Sequence, residues 1–353
     1  MPGVGSAQGQ RPARAGREAD IDPICHTLVG AGLARRGRGR RTAVGTATLL
    51  IGVNLPDIDV LAYLDGPAAD LAFRRGWTHG VLAMAVLPFL LTGAMLGADR
   101  LVRRIGGSVL PSTASARELF VLSGLSILSH PILDTLNTYG VRWLMPFDDR
   151  WFYGDALFIV DPWLWLALAT GLVLSRRRGR DGRKFAADAT RPARLALLFT
   201  VVYAGAMALS GIEARRIALR EVAGLTGAPV DAIMLSPVPV TPFVRTVVAA
   251  QGDAYLVGRF RWRAAPRVHP DSLRRFPRGT PEHPAVAAAA ASTVGRRFLR
   301  WARFPAYQIE PRTAGGFVVH IVDLRYADRP GVSFGAVSVP VIPGGVAPVP
   351  PTR

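Results

Sequence analysis

Runs of about twenty apolar residues leave a chain few options, because a helix of that length matches the hydrocarbon core of a bilayer. Three such runs occur here: HGVLAMAVLPFLLTGAMLGA (79–98), ALFIVDPWLWLALATGLVL (156–174) and LALLFTVVYAGAMALSGI (195–212). Two more, 42–64 and 119–134, are shorter or interrupted by polar groups. These two read either as spans or as buried helices of a soluble core. The stretch ICHTLVGAGLA (24–34) is too short to cross alone and reads as a half-helix or interfacial segment.

Basic residues orient the runs. RRGRGRR (35–41) holds five arginines, 99–117 holds Arg100, Arg103, Arg104 and Arg117 against Asp99, and 175–194 holds eight Lys+Arg against two Asp. The segments between them, 65–78 and 135–155, carry no such excess. The positive-inside rule puts the three basic segments in the cytoplasm. Five spans starting near 42, 79, 118, 156 and 195 then alternate without conflict, giving a polytopic protein of the cytoplasmic membrane. In that topology Asp57, Asp59, His79, His130, Asp134, Asp155 and Asp161 converge on the outer end of the bundle.

From about residue 213 the pattern changes. The segments 236–262 and 315–341 alternate β-branched and aromatic residues between Gly and Pro, as strands do, and 283–304 reads as one helix. The expected fold class is mainly α, a polytopic helical membrane domain with a small C-terminal α+β extracytoplasmic domain. The expected units are a disordered tail (1–20), the membrane domain with its site (21–212), the soluble domain (213–345) and a Pro-rich tail (346–353). The first twenty residues lack the apolar stretch of a secretory signal.

Charge and cysteine content narrow the partners. The 43 Lys+Arg against 25 Asp+Glu give a net charge of +18. Because arginine clusters sit at the ends of apolar runs, this excess suits anionic membrane lipid rather than nucleic acid. The single Cys25 excludes an intramolecular disulfide framework and a CxxC metal site.

Ionisable groups in or near a bilayer cost about 2.5–3.5 kcal/mol each at a helix centre, so they pair, relay protons or hold a metal. In LSHPILDTLNTYG (128–140), His130, Asp134 and Asn137 lie four and seven apart and so share one helical face. With His26, Asp57, Asp59 and His79 they offer imidazole nitrogens and carboxylate oxygens, the ordinary ligands of Zn²⁺, Mn²⁺ or Fe²⁺. Taken singly, His26 could be a polar helix end, Asp57 a helix cap or turn residue, and Arg75 a snorkelling cation or an anion clamp. Asp148 and Asp149 read as loop residues, and His269, His283 and His320 as structural.

The motifs DPICHTLVGAGLA, NLPDIDVL, RRGWTHG, HPILDTLNTYGVRWLMPF and FIVDPW, in this order, resemble the YdjM family of membrane-bound, predicted metal-dependent hydrolases. SPVPVTPF, RFLRWARFP and VDLRYADRPG resemble the C-terminal part of its longer members, so the likeness covers roughly 21–340. The chain departs from the family pattern at Arg74, where histidine often stands. The resemblance implies a helical membrane hydrolase whose His and Asp residues map onto His26, Asp57, Asp59, His79, His130, Asp134 and Asp161. The HxxxD spacing is also similar to that of zinc phospholipase C and P1-nuclease enzymes, which would favour a phosphodiester or lipid-like substrate.

The expected function is metal-dependent hydrolysis at the outer face of the cytoplasmic membrane. His26, Asp57, His79, His130 and Asp134 are the expected ligands of a divalent ion, zinc first and manganese or iron as alternatives. Asp59 and Asp161 are expected to orient ligands or act as general base, and Arg75 to bind a substrate anion. A proton-relay transporter and a non-enzymatic membrane regulator with a structural metal are the rivals. A transporter predicts an internal repeat of apolar segments, and none is seen.

Overall fold

The computed structural model describes residues 23–35, 44–65, 67–106, 115–180, 186–313, 315–326, 335–342 and 345–346. The expected tail 1–20, most of the arginine run 35–41, parts of the basic segments 99–117 and 175–194, and residues 347–353 lie outside the described residues. The chain forms two compact units, Asp22–Pro277 and Arg278–Pro351.

The first unit begins with helices α1 (Pro23–Arg35) and α2 (Gly45–Gly52), a 3₁₀ segment (Leu55–Asp65) and the short α3 (Pro67–Phe73). Four long helices follow: α4 (Val81–Gly106), α5 (Ala116–Thr135), α6 (Pro162–Arg180) and α7 (Ala186–Thr226). Val29, Leu157, Leu164, Leu168, Ala196 and Met207 close one helical core, and Val44, Leu91, Met95, Leu119 and Ile127 another. The opposite faces are apolar as well. Phe89 and Leu90 on α4, Leu125 and Ile132 on α5, Leu166 on α6 and Val201 and Leu209 on α7 are all exposed. Apolar outside and polar inside is the arrangement lipid selects.

Among the described residues two helices are long and apolar enough to cross a membrane, Val81–Ile105 and Ala189–Thr226. The pair Gly45–Gly52 and Leu55–Leu64, bent by 45°, adds a third if taken as one broken span. The runs expected to span near 118 and 156 fold as α5 and α6 but fall short by composition. Buried Ser, His and Asp interrupt α5, and arginines close α6.

Helix α7 has 41 residues. At 1.5 Å rise per residue it is about 60 Å long, roughly twice the hydrocarbon thickness. Position 212/213, the expected domain boundary, lies inside this helix. Beyond it Ala214, Ile217, Ala218 and Val222 make a stripe packed on Ile233, Leu235, Val247, Leu256 and Phe260. Those residues belong to an antiparallel sheet in the order β1 (Ala232–Pro237), β2 (Val244–Gln251), β3 (Ala254–Arg261) and β4 (Arg274–Pro277). Arg245 of β2 is fully buried and donates to Met207 O of α7 at 2.7 Å and to Asp155 O at 3.0 Å. Desolvation lowers its pKa to about 10, so it stays cationic at neutral pH.

The second unit holds α8 (Pro284–Ala291), α9 (Thr293–Trp301) and a second antiparallel sheet, β5 (Pro305–Pro311), β6 (Phe317–Asp323), β7 (Ala336–Ile342) and β8 (Gly345–Val346). The single helix expected over 283–304 is broken at Ser292, whose extended backbone leaves α8 while its Oγ accepts from Gly295 N at 3.0 Å and caps α9. Glycine is required there, since a Cβ at 295 would stand 2.0 Å from Ala289 O. A fully buried Asp323–Arg325 pair, 2.8 Å apart, also bonds Arg303 N and Trp301 O and fixes the end of β6.

Candidate metal centre

On α5 one face is polar and buried: Ser123, Ser126, His130 and Asp134 recur at helical spacing. Helix α2 approaches this face closely because Gly52 has no side chain. A Cβ there would lie 2.0 Å from Ser126 Oγ. The close approach brings Val53 O within 2.7 Å of His130 Nδ1. A carbonyl can only accept, so the proton of the neutral imidazole sits on Nδ1 and the lone pair on Nε2.

The 3₁₀ segment supplies Asp57 and Asp59, and the turn before α4 supplies Arg75, Thr78 and His79. An extended chain would send the two aspartates to opposite sides. The tighter 3₁₀ winding instead puts both beside His79, one at each ring nitrogen. Asp59 Oδ2 accepts from Arg75 N at 2.7 Å and Thr78 Oγ1 at 3.0 Å, and stands 3.3 Å from His79 Nδ1. Thr78 Oγ1 is also 2.9 Å from that nitrogen. Both acceptors hold the proton of His79 on Nδ1, again leaving Nε2 with a lone pair.

The two Nε2 atoms face each other at 3.1 Å. Asp134 Oδ2 lies 3.4 Å from His79 Nε2 and 3.3 Å from His130 Nε2, and Asp57 Oδ1 lies 3.3 Å from His130 Nε2. One ligand atom from each of Asp57, His79, His130 and Asp134 falls within 4.8 Å of the others. Two lone pairs at 3.1 Å repel unless a cation or an extra proton stands between them. Tetrahedral zinc with bonds of about 2.0–2.1 Å separates its nitrogens by about 3.3 Å, so the spacing suits a shared ion. Asp134 Oδ2 and Asp57 Oδ2 are buried and accept no hydrogen bond, which also fits a bound cation. These four residues could therefore hold a metal ion.

The remaining candidates take varied places. His26 on α1 is buried rather than a solvated helix end. Its ring stacks on His130 at 3.9 Å and its Nε2 is 3.5 Å from Asp134 Oδ1. Arg75, buried and left-handed at φ 50°, is occupied: Nη2 donates to Asp134 Oδ1 and Nη1 to Asn137 Oδ1, each at 3.1 Å. Its guanidinium thus neutralises the Asp134 carboxylate. Asp161 is not brought to the cluster. Its Oδ1 caps α6 through Trp163 N and Leu164 N, and its Oδ2 accepts from Tyr203 OH at 3.2 Å. Asp148 is a loop residue whose pKa is lowered by its bonds to Arg150. His269 and His283 cap short helices, and His320 bonds Ser338 and Glu310.

Several supports lacked an assigned role in the sequence. Asn137 Oδ1 accepts from Tyr139 N at 2.8 Å as well as from Arg75, and its place seven residues after His130 was the visible signal. Thr78 and the Val53 carbonyl had none. Nor did Arg142, whose Nη2 donates to Ala72 O and Arg74 O at 2.8 Å and ties down the turn that carries Arg75.

The first unit is thus a helical bundle of membrane character with a largely buried group of two histidines and two aspartates that could hold a metal ion. A family described as YdjM inner membrane protein matches residues 21–215, and the chain belongs to that family. It is similar to the uncharacterized protein YfhP of Bacillus subtilis (strain 168), with 24% identity over 300 residues, 84% of this chain and 81% of the relative. No solved structure matches.

Proposed function

We propose that the protein is a membrane-bound, metal-dependent hydrolase acting at the outer face of the cytoplasmic membrane on a phosphodiester or lipid-like substrate. The observation that carries this reading is the opposed pair of imidazole lone pairs, 3.1 Å apart, between two carboxylates. Zinc suits this nitrogen and oxygen set best, with manganese or iron as alternatives. When bound, the ion supplies Lewis acidity toward a scissile ester and acidifies water.

The chain's own groups have separable tasks. Asp59 and Thr78 hold His79 Nδ1–H, and Val53 O holds His130 Nδ1–H, so both rings stay in the ligating tautomer. Arg75 and Asn137 fix Asp134. Asp57, the most exposed of the four, marks the more accessible edge of the cluster. Asp59 serves His79 and the turn before α4 through Oδ2, and Asp161 caps α6. His26, beside Asp134 Oδ1, is a fifth donor on the same side.

A second reading is a non-enzymatic membrane protein with a structural metal, favoured by the fact that four side-chain donors alone complete a tetrahedral shell. Metal analysis of purified protein, followed by hydrolysis assays on bis(p-nitrophenyl) phosphate and on phospholipid vesicles, tests both. Metal with hydrolysis, both lost in His130→Ala, supports the enzyme. Metal without hydrolysis supports the structural reading, and protein that binds none after reconstitution sinks both. A reporter fused after residue 185 and found outside would overturn the orientation.

A further inference from the structure

We infer that the loop 238–243, between β1 and β2, is a lipid-contacting anchor at the membrane–water boundary. It lies in PVPVTPF, a stretch that the metal centre does not use. Val240 at the loop tip is 65% exposed and Phe243 45% exposed. Val240 also holds φ 72°, a left-handed conformation that a β-branched side chain rarely adopts. Such strain persists only where surroundings impose it. Here Trp163 Nε1 donates to Val240 O at 2.7 Å and pins the loop to the start of α6.

That tie identifies the occupant. Trp163, itself 43% exposed, opens the helix whose exposed apolar side continues through Leu166, Val173 and Leu174. The loop therefore stands at the end of an apolar belt, where Trp and other amphipathic rings collect at headgroup level. Arg263 lies 4.2 Å over the Phe243 ring and places a cation beside the apolar tip, suited to anionic headgroups. An apolar tip, an indole and an arginine together fit a phospholipid surface.

Site-directed spin labelling reads this independently of the metal. The lone Cys25 is buried, so a Cys25→Ala background is readily labelled at Val240→Cys and Phe243→Cys, with exposed Asp271→Cys as a control. In vesicles of phosphatidylglycerol and phosphatidylcholine, labels at 240 and 243 should relax faster with oxygen than with a water-soluble nickel chelate, and the label at 271 the reverse. Labels at 240 and 243 that behave like 271 would overturn the inference. So would dipolar broadening that rises with protein-to-lipid ratio, which would put a second copy of the chain on the loop.

Discussion

His79 Nε2 and His130 Nε2 meet at 3.1 Å although 51 positions separate them in the chain, and each ring is turned by an acceptor bound to its far nitrogen. Everything expected of the centre depends on that opposed pair.

Purified protein should carry about one transition metal ion per chain. His130→Ala and Asp134→Ala should each lower metal affinity by more than the about 10–100-fold that loss of a supporting residue costs. Elemental analysis beside a competition titration decides it. Retention of full metal content in both variants would remove the centre from consideration.

Asp59→Asn should leave the ligands in place but weaken their orientation. Loss of such a supporting carboxylate costs about 10–100-fold in affinity or activity. The check is a metal-affinity titration combined with circular dichroism, which should show an intact helical signal. An affinity equal to wild type would mean that Asp59 serves only the backbone of the 74–80 turn.

Gly52→Ala should lower stability by about 1–3 kcal/mol, as expected of overpacking, and weaken metal binding together with it. The new methyl would meet Ser126 Oγ and Cβ at 2.0 and 2.9 Å, pushing α2 and the Val53 carbonyl away from His130. Adding Ser126→Gly should recover part of both losses. Thermal unfolding in detergent and a metal titration on the two variants give the comparison.

Arg75→Ala would leave the buried Asp134 carboxylate without its cation. Breaking one side of a buried pair costs about 3–5 kcal/mol. Unfolding of metal-free protein should show the loss, and Arg75→Lys should restore part of it. If Arg75 served a substrate anion instead, stability would hold and only KM would rise.

Asp323→Ala removes the acceptor shared by Arg325 and Arg303 N within Arg278–Pro351. Proteolysis should reach 278–351 earlier while metal content is unchanged. Simultaneous loss of metal would show that the two compact units unfold as one.

The helical bundle was legible because its signals are local. Apolar runs mark α4 and α7, and the four- and seven-residue spacing put His130, Asp134 and Asn137 on one face. Strand alternation marked strands over 236–262 and 315–341, but not that they would form two sheets in two compact units, nor that α7 would continue past 212 to cover the first. The stripe Ala214, Ile217, Ala218 and Val222 does that, and its four apolar residues say little without their partners. The break at Ser292 was missed because an alanine-rich run propagates helix on propensity, whereas the cap depends on how closely α8 and α9 approach.

Residue type and spacing alone determined a helical chain of membrane character that carries imidazole and carboxylate donors. Helical period, apolar length and arginine placement act over a few turns of backbone, so one sequence carries them. Tertiary structure alone decided which donors share a centre, that Arg75 neutralises Asp134, and that Asp161 caps α6 instead. The first two outcomes turn on atoms brought within about 3 Å from segments 51 to 77 residues apart, and on a carbonyl, Val53 O, that no side-chain pattern announces, whereas the Asp161 cap is a local contact to Trp163 N and Leu164 N.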